Sequence, residues 1–212
     1  MTEAPGLREL KKSETRKAIS QAALQLIDGR SYADVTVAEI ATAAGVSRRT
    51  VSNYFASKAD CFAGAVGGAF FTEIVGEVLA PESGSTTERL RRAFKAVDHS
   101  YWENVRRLHT VARAEPEVAA AVAFAERSQC DELADALVEA SDNQIDRLRL
   151  HVSVAAISSC ITVTVEHWLD SGAQGGPAAL ADLVASSFDI LDLTWLDPYL
   201  DLIRSVHDRS TA

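Results

Sequence analysis

The chain has 212 residues, of which 47% are apolar and 24% charged, and its formal net charge is −9. This composition predicts a folded protein of one or two domains and differs from that of a disordered chain. The overall acidity argues against a nucleic-acid-binding protein, because such a protein is expected to present a basic surface.

The first helix is predicted from apolar residues that recur at helical spacing between Ile19 and Ile27, with Gly29 as the residue that stops it. Thr36 and Glu39 form a capping-box pattern that opens a short second helix, and Gly45 ends that helix. The pattern predicts two helices joined near Gly45.

Two further helix starts follow directly. Ser47 is placed to cap a third helix that extends to about Tyr54. Ser57 and Asp60 repeat the capping-box pattern and predict a fourth helix running toward Leu79.

The remainder of the chain is also predicted to be helical, giving nine or ten helices in an all-α fold. One helix begins after Ser85, and another has Pro116 in its first turn and extends to about residue 140. Two more are expected around 150–168 and 178–195. The β-branched residues 152–169 are ambiguous, but their length and lack of turn residues favour a buried helix.

Neither export nor membrane insertion is expected. The polar N-terminus lacks the apolar segment of a signal peptide. The longest charge-free run in the second half, 150–165, is judged too short and too polar to span a membrane. Cys61, Cys130 and Cys160 are odd in number and far apart, which indicates reduced thiols. We therefore expect a cytoplasmic protein with no membrane partner.

The second and third helices together fit a helix-turn-helix pattern. Ala41 and Ala44 are small enough to let the helices approach, and Gly45 permits a positive φ at the turn. Seven hydrogen-bonding residues are left to face outward, as a helix entering a DNA groove requires: Ser47, Arg48, Arg49, Thr50, Ser52, Asn53 and Tyr54.

Residues 11–62 resemble the DNA-binding domain of the TetR family of bacterial regulators. The matching features are the amphipathic first helix, Thr36, Ala-Gly-Val-Ser at 44–47, Thr50, Tyr54-Phe55 and Lys58. The resemblance implies an all-α homodimer with a three-helix head at 1–60 that binds palindromic operator DNA. It also implies a larger helical bundle at 61–212 that dimerises and encloses a small-molecule effector.

The resemblance also assigns DNA contacts by position. It places Thr36, Thr50, Tyr54 and Lys58 at phosphates, while Arg48 and Arg49 are candidates for base edges and Asn53 for a further contact. Ser47 is included as an outward-facing donor. Lys11 and Lys12 belong to a basic cluster with Arg8, Arg16 and Lys17, which is a candidate to approach the DNA backbone. The alternative is a solvated face, because Glu9 and Glu14 interrupt the cluster.

Charge is unevenly distributed between these two parts. Residues 1–60 carry a net charge of +2, whereas residues 61–212 carry −11. The acidity that argued against DNA binding therefore belongs to the body and not to the predicted head.

The body contains no catalytic, phosphate-binding or metal-binding motif, so we predict neither an enzyme nor a bound cofactor or metal. Polar and aromatic residues within its apolar helices are candidates for an effector site: Trp102, Val105, His109, Arg113, Phe124, Cys160, Thr164 and Trp168. For each of them, ordinary core packing is the alternative. An apolar or aromatic effector is favoured, because no cluster of buried cations indicates an acid.

The functional hypothesis is a ligand-responsive transcriptional repressor. A transcriptional activator and a DNA-binding regulator without a ligand response remain alternatives, because the sequence does not separate them. A small helical enzyme or a small-molecule binding module is a further alternative. The enzyme would require an acid–base pair in the body, and the sequence indicates none.

Overall fold

The computed structural model describes residues 7–65, 69–80, 83–200 and 202–204. Within these ranges the chain forms ten helices labelled below, a further helical segment at 197–200 and 202–204, and no β-strand, which confirms the all-α prediction. The helices are α1 (Leu7–Leu26), α2 (Val37–Ala43), α3 (Arg48–Tyr54), α4 (Lys58–Ala63), α5 (Ala69–Leu79), α6 (Thr86–Ala96), α7 (His99–Ala114), α8 (Pro116–Ala140), α9 (Arg147–Asp170) and α10 (Gly176–Ser187).

The described residues separate into two compact units. The N-terminal unit combines the described part of 1–66 with residues 104–125, which are the end of α7 and the beginning of α8. The C-terminal unit contains the described parts of 67–103 and 126–212. The compact unit around the helix-turn-helix is therefore larger than residues 1–60, and the functional division at residue 60 stays a prediction.

The core of the N-terminal unit contains side chains from helices α1, α2, α3 and α4 and from residues 104–125. Ile19 and Leu24 of α1 are fully buried, as is Phe62 of α4. Leu108 and Val118 belong to the same apolar cluster. An ion pair of 3.0 Å between Arg107 and Asp28 also links the added segment to the end of α1. Burial of these apolar groups fixes the helix-turn-helix on its scaffold.

The predicted fourth helix, from residue 58 toward Leu79, is two helices in the structure. α4 ends at Ala63, and Gly64 is its C-cap residue. α5 begins at Ala69. The prediction of a single helix was therefore wrong, since residues 64 and 65 form a turn.

In the C-terminal unit, α6 packs against α5 and α10, and α10 packs against α9. The rings of Phe94 and Phe188 lie 4.9 Å apart between centroids, and Trp102 lies 6.2 Å from Phe94. Arg89 is buried and donates hydrogen bonds to the carbonyls of Val78, Ala80 and Gly84. Its guanidinium thus satisfies carbonyls at the end of α5 that the helix leaves unpaired.

The last two predicted helices differ from expectation. Residues 152–169 are helical within α9, but only 22% of the helix's most apolar window is fully buried, and most of its other residues are half-buried. α10 ends at Ser187 and is followed by 3₁₀ turns at Phe188–Ile190 and Thr194–Leu196. The sequence also predicts that Asp197 and Pro198 end the last helix, but residues 197–200 are themselves helical.

α9 is also the one described helix that is long and apolar enough to cross a membrane by length and composition. The expectation that this run is too short was based on its charge-free residues, whereas the helix extends beyond them to 24 residues. Core helices of water-soluble proteins satisfy the same criteria of length and composition. Meeting these criteria is therefore weak evidence for a membrane span.

Candidate nucleic-acid interface

The turn between α2 and α3 is closed by two backbone hydrogen bonds. The N–H of Gly45 donates to the Thr42 carbonyl at 3.1 Å, and the N–H of Val46 donates to the Ala41 carbonyl at 2.9 Å. Gly45 has φ +68°, in the left-handed region. This pairing is the Schellman motif, and it fixes the angle at which α3 leaves α2.

The N-terminus of α2 is held by the predicted capping box. The Thr36 side chain accepts a hydrogen bond from the Glu39 N–H at 3.2 Å, and the Glu39 carboxylate accepts from the Thr36 N–H at 2.9 Å. Arg30 donates to the same carboxylate at 2.9 Å. The hydrogen bonds from Thr36, with the addition of Arg30, lower the pKa of Glu39 to about 2. Thr36 therefore sits at an ordered helix start, and its phosphate contact stays a prediction.

α3 begins at a second side-chain cap. Ser47 accepts a hydrogen bond from the Thr50 N–H at 3.0 Å, and the two hydroxyl oxygens lie 2.8 Å apart. One face of the helix is buried through Val51, which is 1% exposed. Thr50 is half-buried. Five other predicted donors of this helix are exposed to solvent: Ser47, Arg48, Arg49, Ser52 and Asn53. The structure thus gathers these side chains on one short surface.

The aromatic pair at the end of α3 has two different environments. Phe55 is 5% exposed and belongs to the core, as predicted. Tyr54 is half-buried and packs against the same cluster. Its ring therefore has the predicted packing role, and its phosphate contact stays a prediction.

Lys58 is engaged within the chain. Its ammonium donates to the carbonyls of Tyr32 and Val35 at 2.9 and 3.1 Å and lies 3.7 Å from the centre of the Tyr32 ring. These contacts tie the start of α4 to the loop that precedes Thr36. An ammonium has three N–H groups, so one remains for the predicted phosphate contact.

The basic cluster of the N-terminus is helical and not an extended arm, because α1 begins at Leu7. Lys11 and Lys12 are exposed on this helix, and so is Glu14. Arg16, from the same cluster, donates to the Tyr54 carbonyl at 3.2 Å. Sequence reasoning missed this contact, since no local pattern connects residues 38 positions apart.

The predicted effector residues are divided between the two units. Val105, His109, Arg113 and Phe124 belong to the N-terminal unit, whereas Trp102, Cys160, Thr164 and Trp168 belong to the C-terminal unit. Phe124 is 77% exposed, so its ring lies at the surface. Arg113 is also exposed, while Val105 and His109 are buried. Their effector contacts stay predictions.

Within the described part of the C-terminal unit, the indole N–H of Trp168 has a hydrogen-bond partner and that of Trp102 does not. The Trp168 indole donates to the Gln174 carbonyl at 2.9 Å and so secures the turn after α9. The Trp102 indole N–H is buried without a hydrogen-bond partner among the described residues. An unpaired buried donor is costly, and an acceptor on a bound molecule would remove that cost.

A half-buried polar cluster in the same unit was missed by sequence reasoning. Thr162 of α9 lies 3.4 Å from both carboxylate oxygens of Glu126 of α8. Burial, and secondarily the Glu126 charge, raises the pKa of Tyr101. A single glutamate in an acidic helix gives no sequence signal, so this placement depends on the packing of α8 against α9.

The cysteines are free thiols, as expected. Burial, with a smaller effect of Asp60, raises the pKa of Cys61 to about 11. A thiol in this environment is protonated at neutral pH and is therefore a poor nucleophile.

Comparison with known proteins gives one family match. Residues 19–65 match the N-terminal model of "Bacterial regulatory proteins, tetR family". A solved structure described as a tetR-family transcriptional regulator from Streptomyces coelicolor is 25% identical to the chain, with a TM-score of 0.46. The match covers 92% of the present chain and 89% of the Streptomyces coelicolor chain. No curated protein matches the chain. The family match contains all of α2, α3 and α4.

Proposed function

We propose that this chain, a member of the tetR family of bacterial regulatory proteins through its N-terminal domain, regulates transcription by binding DNA. In this proposal it is a cytoplasmic, ligand-responsive repressor that works as a homodimer. The observation that carries the proposal is the exposed donor surface of α3, fixed by the Gly45 turn and the Ser47 cap. Such a helix fits the major groove, where donors from its first turns can reach base edges.

In this proposal each exposed group has a distinct task. Arg48 and Arg49 carry base recognition, because a guanidinium can donate two parallel hydrogen bonds to guanine. Asn53 is a further base contact. Thr36, Ser47, Thr50, Tyr54 and Lys58 bind phosphates and set the register, with Lys11 and Lys12 on the flanking backbone.

The dimer is supported by the surface of α9. Leu148, Val152 and Val163 are 73%, 58% and 66% exposed. With the exposed Ser159 they recur at steps of four, seven and four residues and so share one helix face. A second copy of the chain covers this face and places two recognition helices at half-sites about 34–36 Å apart.

The effector site is assigned to the C-terminal unit, where Trp102 leaves a buried donor unpaired. Trp168, Cys160 and Thr164 come from α9 of the same unit. We favour a mainly aromatic or apolar molecule with one acceptor for the Trp102 N–H. The effector binds preferentially to a conformation in which the spacing of the two heads does not match the half-sites, and this preference releases the operator.

The test is selection of duplexes from a genomic fragment library by the full chain, followed by affinity measurements on the selected duplex. Arg48→Ala should lower affinity for that duplex by about 1–3 kcal/mol and relax specificity at one position of each half-site. Tyr54→Phe removes only a hydroxyl and should weaken binding equally for every sequence.

Failure of the wild type to bind any duplex at moderate salt would disprove the regulator assignment. Unchanged specificity in Arg48→Ala would disprove only its base-reading role. A promoter–reporter assay with the selected operator distinguishes repression from activation, because deletion of a repressor raises expression.

A further inference from the structure

The recognition helix α3 has only seven residues, which is two turns. A helix of this length is unstable in isolation, so contacts at its ends determine its orientation. Its N-terminal end is held by Ser47 and by the turn at Gly45. Its C-terminal end carries carbonyls that the helix itself does not satisfy.

Arg16 of α1 occupies that C-terminal end. Its guanidinium Nη1 donates to the Tyr54 carbonyl at 3.2 Å, and its Cζ lies 4.5 Å above the centre of the Phe55 ring. A planar guanidinium can stack on an aromatic ring and donate from its edge at the same time, whereas an ammonium cannot. Its positive charge also complements the negative end of the helix dipole.

The two residues that Arg16 contacts define how α3 is seated. Phe55 is buried in the core beside α3, and Tyr54 is the last residue of the recognition helix. A change at Arg16 would therefore reach the DNA-facing side chains through the helix itself. The sequence places Arg16 in a basic cluster, where it would be assigned to phosphate contact or to solvent.

We infer that Arg16 is a positioning residue for operator recognition, which fixes the tilt of α3 and does not itself neutralise a phosphate. This role rests on the proposed function, because it presumes that α3 reads DNA. The neighbouring Lys17 is exposed on the same helix and is the matched control, since its loss removes the same charge from the same stretch.

The first experiment measures the affinity of the full-length protein for the selected duplex over a range of salt concentrations. Arg16→Ala should lower affinity about tenfold, the loss expected for one hydrogen bond to a charged group, with an unchanged slope of log affinity against log salt. Arg16→Lys, which retains the charge and a donor but not the stacking plane, should recover part of the affinity. Lys17→Ala should retain wild-type affinity within about threefold, because it has no assigned contact with α3.

Two results would overturn the role. An affinity loss with a slope reduced by about 1.8, or 0.9 for each of two heads, would identify Arg16 as a phosphate contact. An unchanged affinity in Arg16→Ala would show that α3 is seated without it.

The second experiment uses nuclear magnetic resonance of the DNA-free protein and separates this inference from the proposed function. Arg16→Ala should shift the carbonyl ¹³C resonance of Tyr54 and the ring resonances of Phe55, while Lys17→Ala leaves both in place. Unshifted resonances in a folded Arg16→Ala variant would refute the contact. If the wild type binds no duplex, the proposed function fails and the positioning role with it, whereas the resonances still report whether the contact exists.

Discussion

At the residue scale, side-chain caps of the N-terminal unit convert single polar residues into fixed helix starts. Thr36, Ser47 and Ser57 each accept a hydrogen bond from an N–H that the following helix leaves unpaired. Such caps typically contribute about 0.5–2 kcal/mol each. They matter here because α2, α3 and α4 have only six or seven residues, so the ends make up most of each helix.

The capping box at Glu39 makes the stability of the fold depend on pH. The pKa of Glu39, about 2 in the folded chain, lies below the ordinary value of 4.5, so its stabilising contribution is complete above about pH 4.5 and is lost as the pH falls toward 2. We expect Glu39→Gln to lower the denaturant midpoint at pH 6 and to differ little from the wild type near pH 2.

The measurement is chemical unfolding of both proteins across this pH range. Glu14→Gln, which removes an exposed carboxylate of α1 that is not part of a capping box, is the control for loss of one negative charge. A difference between wild type and Glu39→Gln that stays constant with pH would contradict the prediction.

At the element scale, the junction after α4 depends on a close approach of backbone to side chains. A Cβ atom at Gly64 would lie 2.6 Å from the Ser20 hydroxyl oxygen and 2.9 Å from a ring carbon of Phe55. Ser20 and Phe55 are both buried, so neither can move freely. The absence of a side chain at Gly64 thus allows α4 to pack against α1 and the end of α3.

We therefore expect Gly64→Ala to reduce the free energy of unfolding by about 1–3 kcal/mol, because it overpacks a filled core. Gly76 in α5 is the matched control, since nothing lies within 4 Å of a Cβ built there. Gly76→Ala should instead be neutral or stabilising by up to about 1 kcal/mol, through higher helix propensity. Thermal unfolding followed by circular dichroism compares the two, and equal effects would refute the steric argument.

At the scale of the whole molecule, charge and apolar surface are separated along the chain. The net charge is +2 over residues 1–60 and −11 over 61–212, so under the proposed function few phosphates are neutralised by each head, and operator binding should depend on placed donors. Within the acidic part, α9 contains the charge-free run 150–165, and its exposed face is apolar. In the proposed dimer, self-association covers this apolar surface.

The corresponding prediction concerns mass in solution. Val163→Glu places a charge on the exposed face of α9 and should convert the proposed dimer into a monomer of 22.8 kDa. Ala136→Glu, at an exposed position of α8, is the control for an added carboxylate. Light scattering after size-exclusion chromatography measures both. A Val163→Glu variant with the wild-type mass would disprove the assignment of this face to the dimer.

Those features that depend on neighbours within four residues could be predicted from the sequence. The capping boxes at Thr36 and Ser57, the turn at Gly45 and the short α3 are all present as predicted. Their hydrogen bonds close within one helical turn, so the residues that specify them are adjacent in the sequence. The same locality made the helix-turn-helix recognisable.

Contacts between distant segments could not be predicted in this way. The sequence placed Arg16 in a basic cluster, and the family resemblance placed Lys58 at a phosphate. The structure engages Arg16 with Tyr54 and Lys58 with Tyr32 and Val35. The sequence also predicted a buried helix over 152–169, which the structure leaves mostly half-buried. Burial depends on which surfaces meet, and periodicity reports only that a helix has an apolar face.

By itself, the sequence determined that the chain is all-α, that a helix-turn-helix lies near its N-terminus, and that the acidity belongs to the remainder. Only the tertiary structure decided that residues 104–125 pack into the N-terminal unit, that Arg16 reaches the end of α3, and that a Cβ at Gly64 would crowd Ser20 and Phe55. The physical reason is range: caps and turns arise from bonds between neighbours, whereas packing joins groups whose sequence separation carries no signal.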